Sequence, residues 1–145
     1  MKELLKKKGF LFDVEGVLTD NIDEGHGLSN TANFISLLKK HNKKIAIITN
    51  ISRKPRQIVY RKLLDMGLPI EEHEVFTSGA TTALYIKDNF PNATCFVISE
   101  WGLKKDIEDA GITIAEGQDA DVVAIGADRN VTFTEINHAM RLVLG

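Results

Sequence analysis

One stretch near the N-terminus constrains the fold of this chain more than any other. The apolar residues 10–12 lead directly into Asp13, and Glu15 and Gly16 follow. An apolar run without a polar face suits a strand that is covered on both sides, as in a parallel α/β sheet. Ligands of such sheets bind beyond the carboxyl ends of the strands. The sequence therefore predicts that Asp13 lies at a binding edge.

Apolar and amphipathic stretches alternate along the rest of the chain. Apolar runs predict strands at 9–13, 45–48, 74–77, 94–98 and 121–126. Helical spacing predicts a first helix that starts near Ser29 or Asn30 as N-cap, and later helices at 55–66, 79–89, 102–110 and 134–144, the last capped by Thr132 or Thr134. This alternation predicts a parallel, open α/β sheet with right-handed crossovers.

Two segments are predicted to lack regular structure of any length. Residues 1–8 are expected to form a short helical turn or a frayed end. The connection 15–28 is rich in Gly, Asp and Asn, and we expect it to bend rather than to pack. A loop of this length inside a compact domain is more often functional than idle.

Composition excludes several classes of protein. The 145 residues suit one domain of common size, and a formal net charge of -2 gives no reason to expect nucleic-acid binding. No apolar segment is long enough to span a membrane. Cys95 is the single cysteine, so no internal disulfide can form, and its apolar surroundings predict a buried structural thiol. A reducing, cytoplasmic location is expected.

Polar side chains follow three of the predicted strands. They are Asp13 and Glu15 after the first, Thr49, Asn50 and Ser52 after the second, and Thr77 and Ser78 after the third. Neighbouring parallel strands deliver such ends to one crevice. There a carboxylate can act as nucleophile, and a second carboxyl can act as general acid and then as base. A hydroxyl and the amides at a helix start can hold phosphoryl oxygens, so the set predicts phosphoryl transfer.

Several motifs resemble those of the haloacid dehalogenase superfamily, in its branch of NagD-like and p-nitrophenylphosphatase-like enzymes. The first motif of that family is similar to residues 13–18, and the second to the strand that ends in Thr49-Asn50. The segment 75–78, which leads into an Ala-rich helix, is typical of the branch. The segments 101–112 and 121–145 resemble the first part of its cap domain. The similarity covers nearly the whole chain in the right order.

The resemblance implies a fold and a division of the chain. The fold class is α/β, a Rossmann-like three-layer sandwich with a mainly parallel sheet, joined to part of an α/β cap. Residues 1–80 would form a partial core with both motifs, and residues 81–145 a partial cap segment. Family members continue with the rest of the cap, a lysine motif and an acidic motif, so the chain resembles the N-terminal half of such an enzyme.

The resemblance also implies a role for each site residue. Asp13 would attack phosphorus and form an aspartyl-phosphate, while Glu15 would protonate the leaving oxygen and later activate water. Thr49 and Asn50 would bind the substrate phosphate. Mg²⁺ would be held by the Asp13 carboxylate and the backbone carbonyl of Glu15, since that ion prefers oxygen ligands. Position 15 carries Glu where most phosphatases of the family carry Asp, which moves the carboxyl outward by one methylene.

Three functions follow from these observations as alternatives. The first is a Mg²⁺-dependent phosphatase that acts on a small phosphorylated metabolite or nucleotide and is weakly active or inactive as this chain. The second is a non-catalytic, truncated relative that forms a homodimer through uncovered apolar faces. The third is a split enzyme whose lysine and acidic motifs lie on a separate chain. Neither a nucleic-acid nor a membrane partner is expected.

Overall fold

The computed structural model describes residues 3, 6–117 and 119–145. The helical turn expected within residues 1–8 lies largely outside the described residues. The elements are β1 (Gly9–Phe12), α1 (Thr31–Lys40), β2 (Lys44–Thr49), α2 (Arg56–Asp65), β3 (Val75–Thr77), α3 (Ser78–Asn89), β4 (Thr94–Ile98), α4 (Trp101–Asp109), β5 (Thr113–Ile114), β6 (Val122–Ile125) and α5 (Phe133–Leu144). The predicted α/β class is confirmed. The sequence pattern misses β5, whose two residues are too few to show a period, and a short 3-10 helix at Glu72–Glu74.

The strands form two three-stranded sheets, with the orders β1-β2-β3 and β5-β4-β6. Pairing is parallel between β1 and β2, and β4 pairs in parallel with both of its neighbours. The chain divides into two compact units. The first unit is Met1–Thr49 with Gln57–Phe76, and the second unit is Asn50–Arg56 with Thr77–Gly145.

In the first unit, the sheet buries one of its faces. Ile45, Ile47 and Thr49 alternate along β2 and are buried, and α1 packs on this strand. On the alternate positions, Leu11 is 71% exposed and Ile48 is 45% exposed. The prediction that the first strand is covered on both sides is therefore wrong. Two helices supply only enough apolar surface for one face of this sheet, so the other face remains open among the described residues.

In the second unit, helices meet both faces of the sheet. Cys95, Val97 and Ala124 belong to a core cluster with side chains of α3 and α4. The alternate side chains of β4 and β6 point to the opposite face, where α5 packs against both strands. The ring of Phe96 meets the ring of His138 on α5 edge-on, with centroids 4.7 Å apart. The result is a helix–sheet–helix arrangement of three layers.

Helix boundaries follow local signals at most ends. Gly67 and Gly111 have φ of +82° and +81° directly after α2 and α4, as expected of glycine stops. Thr132 caps α5 in a reciprocal capping box with Glu135, which decides between the two predicted caps. Asn30 is the N-cap residue of α1, which decides between the two predicted positions. Asn30 has φ of 67° and makes no cap bond, because its backbone is left-handed rather than extended.

None of the helices in the described part of the chain combines the length and apolar character that a membrane crossing requires.

Candidate active site

The carboxylate predicted to attack phosphorus and the hydroxyl predicted to bind the phosphoryl group lie at the ends of adjacent strands. Asp13 is the first residue after β1, and Thr49 is the last residue of β2. Since β1 and β2 are parallel and Phe12 pairs with Ile47, both residues lie at the carboxyl edge of this strand pair. Asp13 is exposed, whereas Thr49 is only 9% exposed. The structure thus confirms that these two strand ends share one edge in the first unit.

Glu15 lies in a tight turn that follows β1. The carbonyl of Val14 accepts hydrogen bonds from the amides of Leu18 and Thr19, at 2.8 and 3.1 Å. The amide of Gly16 donates to the carbonyl of Thr19 at 2.7 Å, and Gly16 has φ of +82°, a conformation that favours glycine. Glu15 is exposed at this turn. Its carboxyl is therefore free of the backbone hydrogen bonds that close the turn.

The Asp13 side chain is oriented by its own neighbour in the chain. Its Oδ1 accepts a hydrogen bond from the amide of Val14 at 2.8 Å, and Val14 itself is fully buried. The buried side chain fixes the peptide that holds the carboxylate. A carboxylate held in this way retains its second oxygen for a ligand.

Thr19 organises the remainder of the connection between β1 and α1. Its side chain is fully buried, and its hydroxyl donates to the carbonyl of His26 at 2.5 Å and accepts from the amide of Asn21 at 3.2 Å. Leu18 and Ile22 are buried beside it, at 0% and 2% exposure. The expectation that residues 15–28 bend rather than pack is therefore wrong. The Thr-x-Asn spacing, which favours a hydroxyl-stabilised turn, is the signal that could have identified Thr19.

Asn50 follows Thr49 in the chain and begins the second unit. Its side chain is exposed, and its backbone carbonyl accepts a hydrogen bond from the Ser78 hydroxyl at 2.9 Å. The hydroxyl of Ser52 accepts from the amide of Ala127 at 2.9 Å, and that of Thr77 accepts from the amide of Ala80 at 3.2 Å. The hydroxyls of these other strand-end residues thus contribute to the structure of the second unit.

The donor set around Asp13 is compatible with a magnesium ion. Mg²⁺ is usually held by one or two carboxylates, keeps several waters and takes further oxygens from a phosphate. Asp13 offers an exposed carboxylate, and the Glu15 carbonyl lies in the adjoining turn. Across residues 3, 6–117 and 119–145, no three His, Cys, Asp or Glu side chains gather as a metal cluster. The residues therefore fit a partial set of ligands, completed by water and phosphate.

The single thiol belongs to the second unit. Cys95 is fully buried in the core of the second unit, and burial raises the pKa of its thiol. A neutral, inaccessible thiol is a poor nucleophile. The prediction of a structural cysteine is confirmed.

Comparisons with known proteins agree on one class of enzyme. The chain is 35% identical to an acid sugar phosphatase of Staphylococcus haemolyticus over 129 residues, which are 89% of this chain and 48% of that protein. It is 32% identical to the 5'-nucleotidase YutF of Bacillus subtilis, across 87% of this chain and 48% of that protein. The chain therefore spans about half the length of these relatives.

Solved structures that resemble this chain include phosphatases, of which it again covers about half. The p-nitrophenyl phosphatase from Archaeoglobus fulgidus superposes with a TM-score of 0.84 at 28% identity, covering 95% of this chain and 52% of that chain. A family model described as haloacid dehalogenase-like hydrolase matches residues 10–113. This match includes both strand ends and the turn that carries Glu15. On this match and the similarity of sequence and fold, the chain belongs to the haloacid dehalogenase-like hydrolases.

Proposed function

We propose that this chain provides the nucleophile and phosphate-binding residues of a Mg²⁺-dependent phosphatase that works through an aspartyl-phosphate. One observation carries the proposal: an exposed carboxylate and a threonine hydroxyl lie at the same edge of adjacent parallel strands, Asp13 after β1 and Thr49 at the end of β2. Both residues fall within the family match at 10–113. A cytoplasmic setting is part of the proposal, supported by the unpaired, buried Cys95.

The proposed reaction has two steps. A carboxylate oxygen of Asp13 attacks phosphorus, and the bond from phosphorus to the leaving oxygen breaks as Glu15 donates a proton to that oxygen. Glu15 then takes a proton from water, which attacks phosphorus, releases phosphate and restores Asp13. The hydroxyl of Thr49 donates a hydrogen bond to the phosphoryl group, and Asn50 shapes the adjoining loop. The Asp13 carboxylate and the Glu15 carbonyl would hold Mg²⁺, which would supply positive charge for the phosphoryl oxygens.

We expect slow turnover by residues 1–145 alone. The lysine and acidic motifs implied by the resemblance do not occur in this sequence, and loss of one preorganised stabilising group costs about 10²–10³-fold in rate. The longer Glu15 side chain displaces the acid–base carboxyl, and a displacement of about 1 Å can cost on the order of 10²-fold.

The substrate class proposed is a small phosphorylated metabolite or nucleotide. It is supported by relatives named as an acid sugar phosphatase and a 5'-nucleotidase. A panel of sugar phosphates and nucleoside monophosphates, assayed by phosphate release, separates these two classes.

The catalytic proposal is tested with p-nitrophenyl phosphate in the presence of Mg²⁺ and again with a chelator. We expect measurable turnover that requires Mg²⁺ and is abolished by Asp13→Asn. The matched control is Asp65→Asn, which makes the same change at an exposed position at the end of α2. Turnover of Asp13→Asn equal to that of the control would contradict the proposal for this chain.

A second candidate function, self-association without catalysis, is favoured by a separate observation. Each unit exposes large apolar side chains, with Leu11 at 71% in the first unit and Ile125 and Leu144 at 69% and 81% in the second. Exposed apolar surface of this kind commonly marks an interaction site. Sedimentation velocity over a range of concentrations is the test, with Leu144→Glu as the variant. A monomer at every concentration would exclude the homodimer.

A further inference from the structure

The loop that follows Thr49 is attached to the second unit at several points. This loop, Asn50–Arg56, connects β2 to α2, yet it is grouped with residues that lie far away in the sequence. Apart from Arg56, the first residue of α2, it carries no regular structure. Its conformation therefore depends on the elements around it.

The closest approach to the loop is made by Gly102, the second residue of α4. A Cβ atom at position 102 would overlap the carbonyl oxygen of Ser52 and the peptide that joins Arg53 to Lys54. All of these atoms are backbone, so a flexible side chain cannot move away to make room. This contact restricts position 102 to glycine, because any side chain there would force the loop or α4 to shift.

Hydrogen bonds hold the loop at three further points. The Ser78 hydroxyl donates to the carbonyl of Asn50, and the Ala127 amide donates to the Ser52 hydroxyl, both at 2.9 Å. The amide of Arg56 donates to Oδ1 of Asp106 at 3.0 Å. The donors and acceptors come from α3, α4 and the segment after β6. The start, middle and end of the loop are therefore each fixed.

The Asp106 carboxylate is itself confined. Its residue is 8% exposed, and its second oxygen is buried with no hydrogen-bond partner in the described structure. A Cβ atom at Gly79 would lie 2.5 Å from that oxygen, so the glycine leaves the space in which the carboxylate fits. Burying an unpartnered carboxylate oxygen is unfavourable. The hydrogen bond from the Arg56 amide to the other oxygen of Asp106 therefore comes at a cost to stability, and we interpret it as serving to hold the loop.

We propose that Gly102, Asp106 and Ser78 are positioning residues for phosphate binding, which act by fixing the backbone of the Asn50–Arg56 loop. The inference rests on the proposed function, in which Thr49 and Asn50 hold the phosphoryl group. Backbone groups stabilise a phosphoryl group only when their positions are set in advance, since rate and affinity fall steeply with small displacements. Contacts within the second unit thereby determine the geometry of the loop that begins at Asn50.

The main test compares Gly102→Ala with Gly117→Ala. A Cβ atom at Gly117 meets nothing within 4 Å, so this control makes the same change in the same unit without a clash. Inorganic phosphate is titrated in the presence of Mg²⁺, and binding is followed through the NMR amide signals of Thr49 and Asn50. We expect the dissociation constant to rise about tenfold or more in Gly102→Ala and to stay unchanged in the control.

A second pair of variants separates positioning from general stability. Ser78→Ala removes the hydroxyl that binds the Asn50 carbonyl, whereas Ser78→Thr retains it. We expect weaker phosphate binding in the first variant and rescue in the second, with both still folded by circular dichroism. If Gly102→Ala and Ser78→Ala are folded and bind phosphate as tightly as wild type, the inference is overturned while the proposed function stands. If wild type binds no phosphate, the proposed function fails and the inference with it.

Discussion

The loops that follow β1 and β2 are held in contrasting ways. The connection after β1 is closed by its own atoms, through the bonds of Thr19 to Asn21 and His26 and the bond from the Leu28 amide to the Leu18 carbonyl. The loop after β2 is held from outside, by residues that lie between 28 and 75 positions away, as in the Ser78–Asn50, Arg56–Asp106 and Ala127–Ser52 bonds.

The difference lies in where each loop finds the contacts that set its shape. The first loop buries Leu18 and Ile22, and the hydrogen bonds that close it join its own residues. The second loop has no local core, and its shape depends on α3, α4 and the segment after β6. Changes in the first loop should therefore act mainly on stability, whereas changes around the second should act on the loop itself.

Removing the local core of the first loop should give the largest effect. Leu18→Ala deletes a fully buried side chain, and we expect the free energy of unfolding to fall by about 2–5 kcal/mol. Val17, its neighbour, is 46% exposed, so Val17→Ala is the matched control and should change stability by no more than about 0.5 kcal/mol. Urea unfolding measures both. Equal losses would mean that the connection does not pack.

The hydrogen bonds of the first loop should be next in magnitude. Thr19→Val keeps the shape of the side chain but leaves the His26 carbonyl and the Asn21 amide without the hydroxyl, which we expect to cost about 1–3 kcal/mol in urea unfolding. Thr81→Val makes the same change at an exposed site on α3 and should be close to neutral. A neutral Thr19→Val would show that the hydroxyl does not hold this loop.

A single attachment of the second loop should contribute less to stability. Ser52→Ala removes the acceptor of the Ala127 amide, and we expect a loss of about 1 kcal/mol. Hydrogen exchange should become faster at Ala127 while the β4 amides keep their protection. Ser36→Ala, at an exposed position of α1, is the control. Unchanged exchange at Ala127 would contradict the proposed attachment.

The smallest effect is a dependence of stability on pH. Burial raises the pKa of the Asp106 carboxyl above its ordinary value of 3.8. The folded state therefore keeps this proton to higher pH than the unfolded state does. As a result, the contribution of Asp106 to stability is most favourable below the ordinary value and declines as pH rises through the raised one.

Two variants test the sign of this dependence. The free energy of unfolding is measured in urea at intervals of about one pH unit between about pH 3 and pH 7. As pH rises, we expect it to decline less in Asp106→Asn than in wild type. At Asp121, hydrogen bonds from the amide and hydroxyl of Thr94 lower the pKa of the carboxyl. Its contribution is present above the ordinary value and lost as pH falls, so Asp121→Asn should show the opposite sign. The same sign in both variants would contradict the assignment.

Local signals predicted much of the fold and part of the site. The apolar runs located β1, β2 and β4, and the glycine and threonine signals located the ends of α2, α4 and α5. Asp13 and Thr49 were predicted to meet because parallel strands present their carboxyl ends at one edge, and the β1–β2 register confirms it. These are properties of short segments, so they can be derived from sequence period and spacing.

Other features depend on contacts that no short segment contains. The sequence pattern does not reveal that the strands separate into two sheets, nor that Leu11 lies on an open face at 71% exposure. It also gives Gly102 and Asp106 no role, because their contacts with the Asn50–Arg56 loop cross about fifty positions of the chain.

The sequence by itself therefore determined which polar side chains stand at the ends of β1 and β2. Asp13, Glu15, Thr49 and Asn50 stand next to apolar runs and glycines that place them at strand ends and turns. The tertiary structure alone decided how the loop after Thr49 is held. Its shape is set by a close backbone contact and by hydrogen bonds from distant elements, which form only when the second unit has folded.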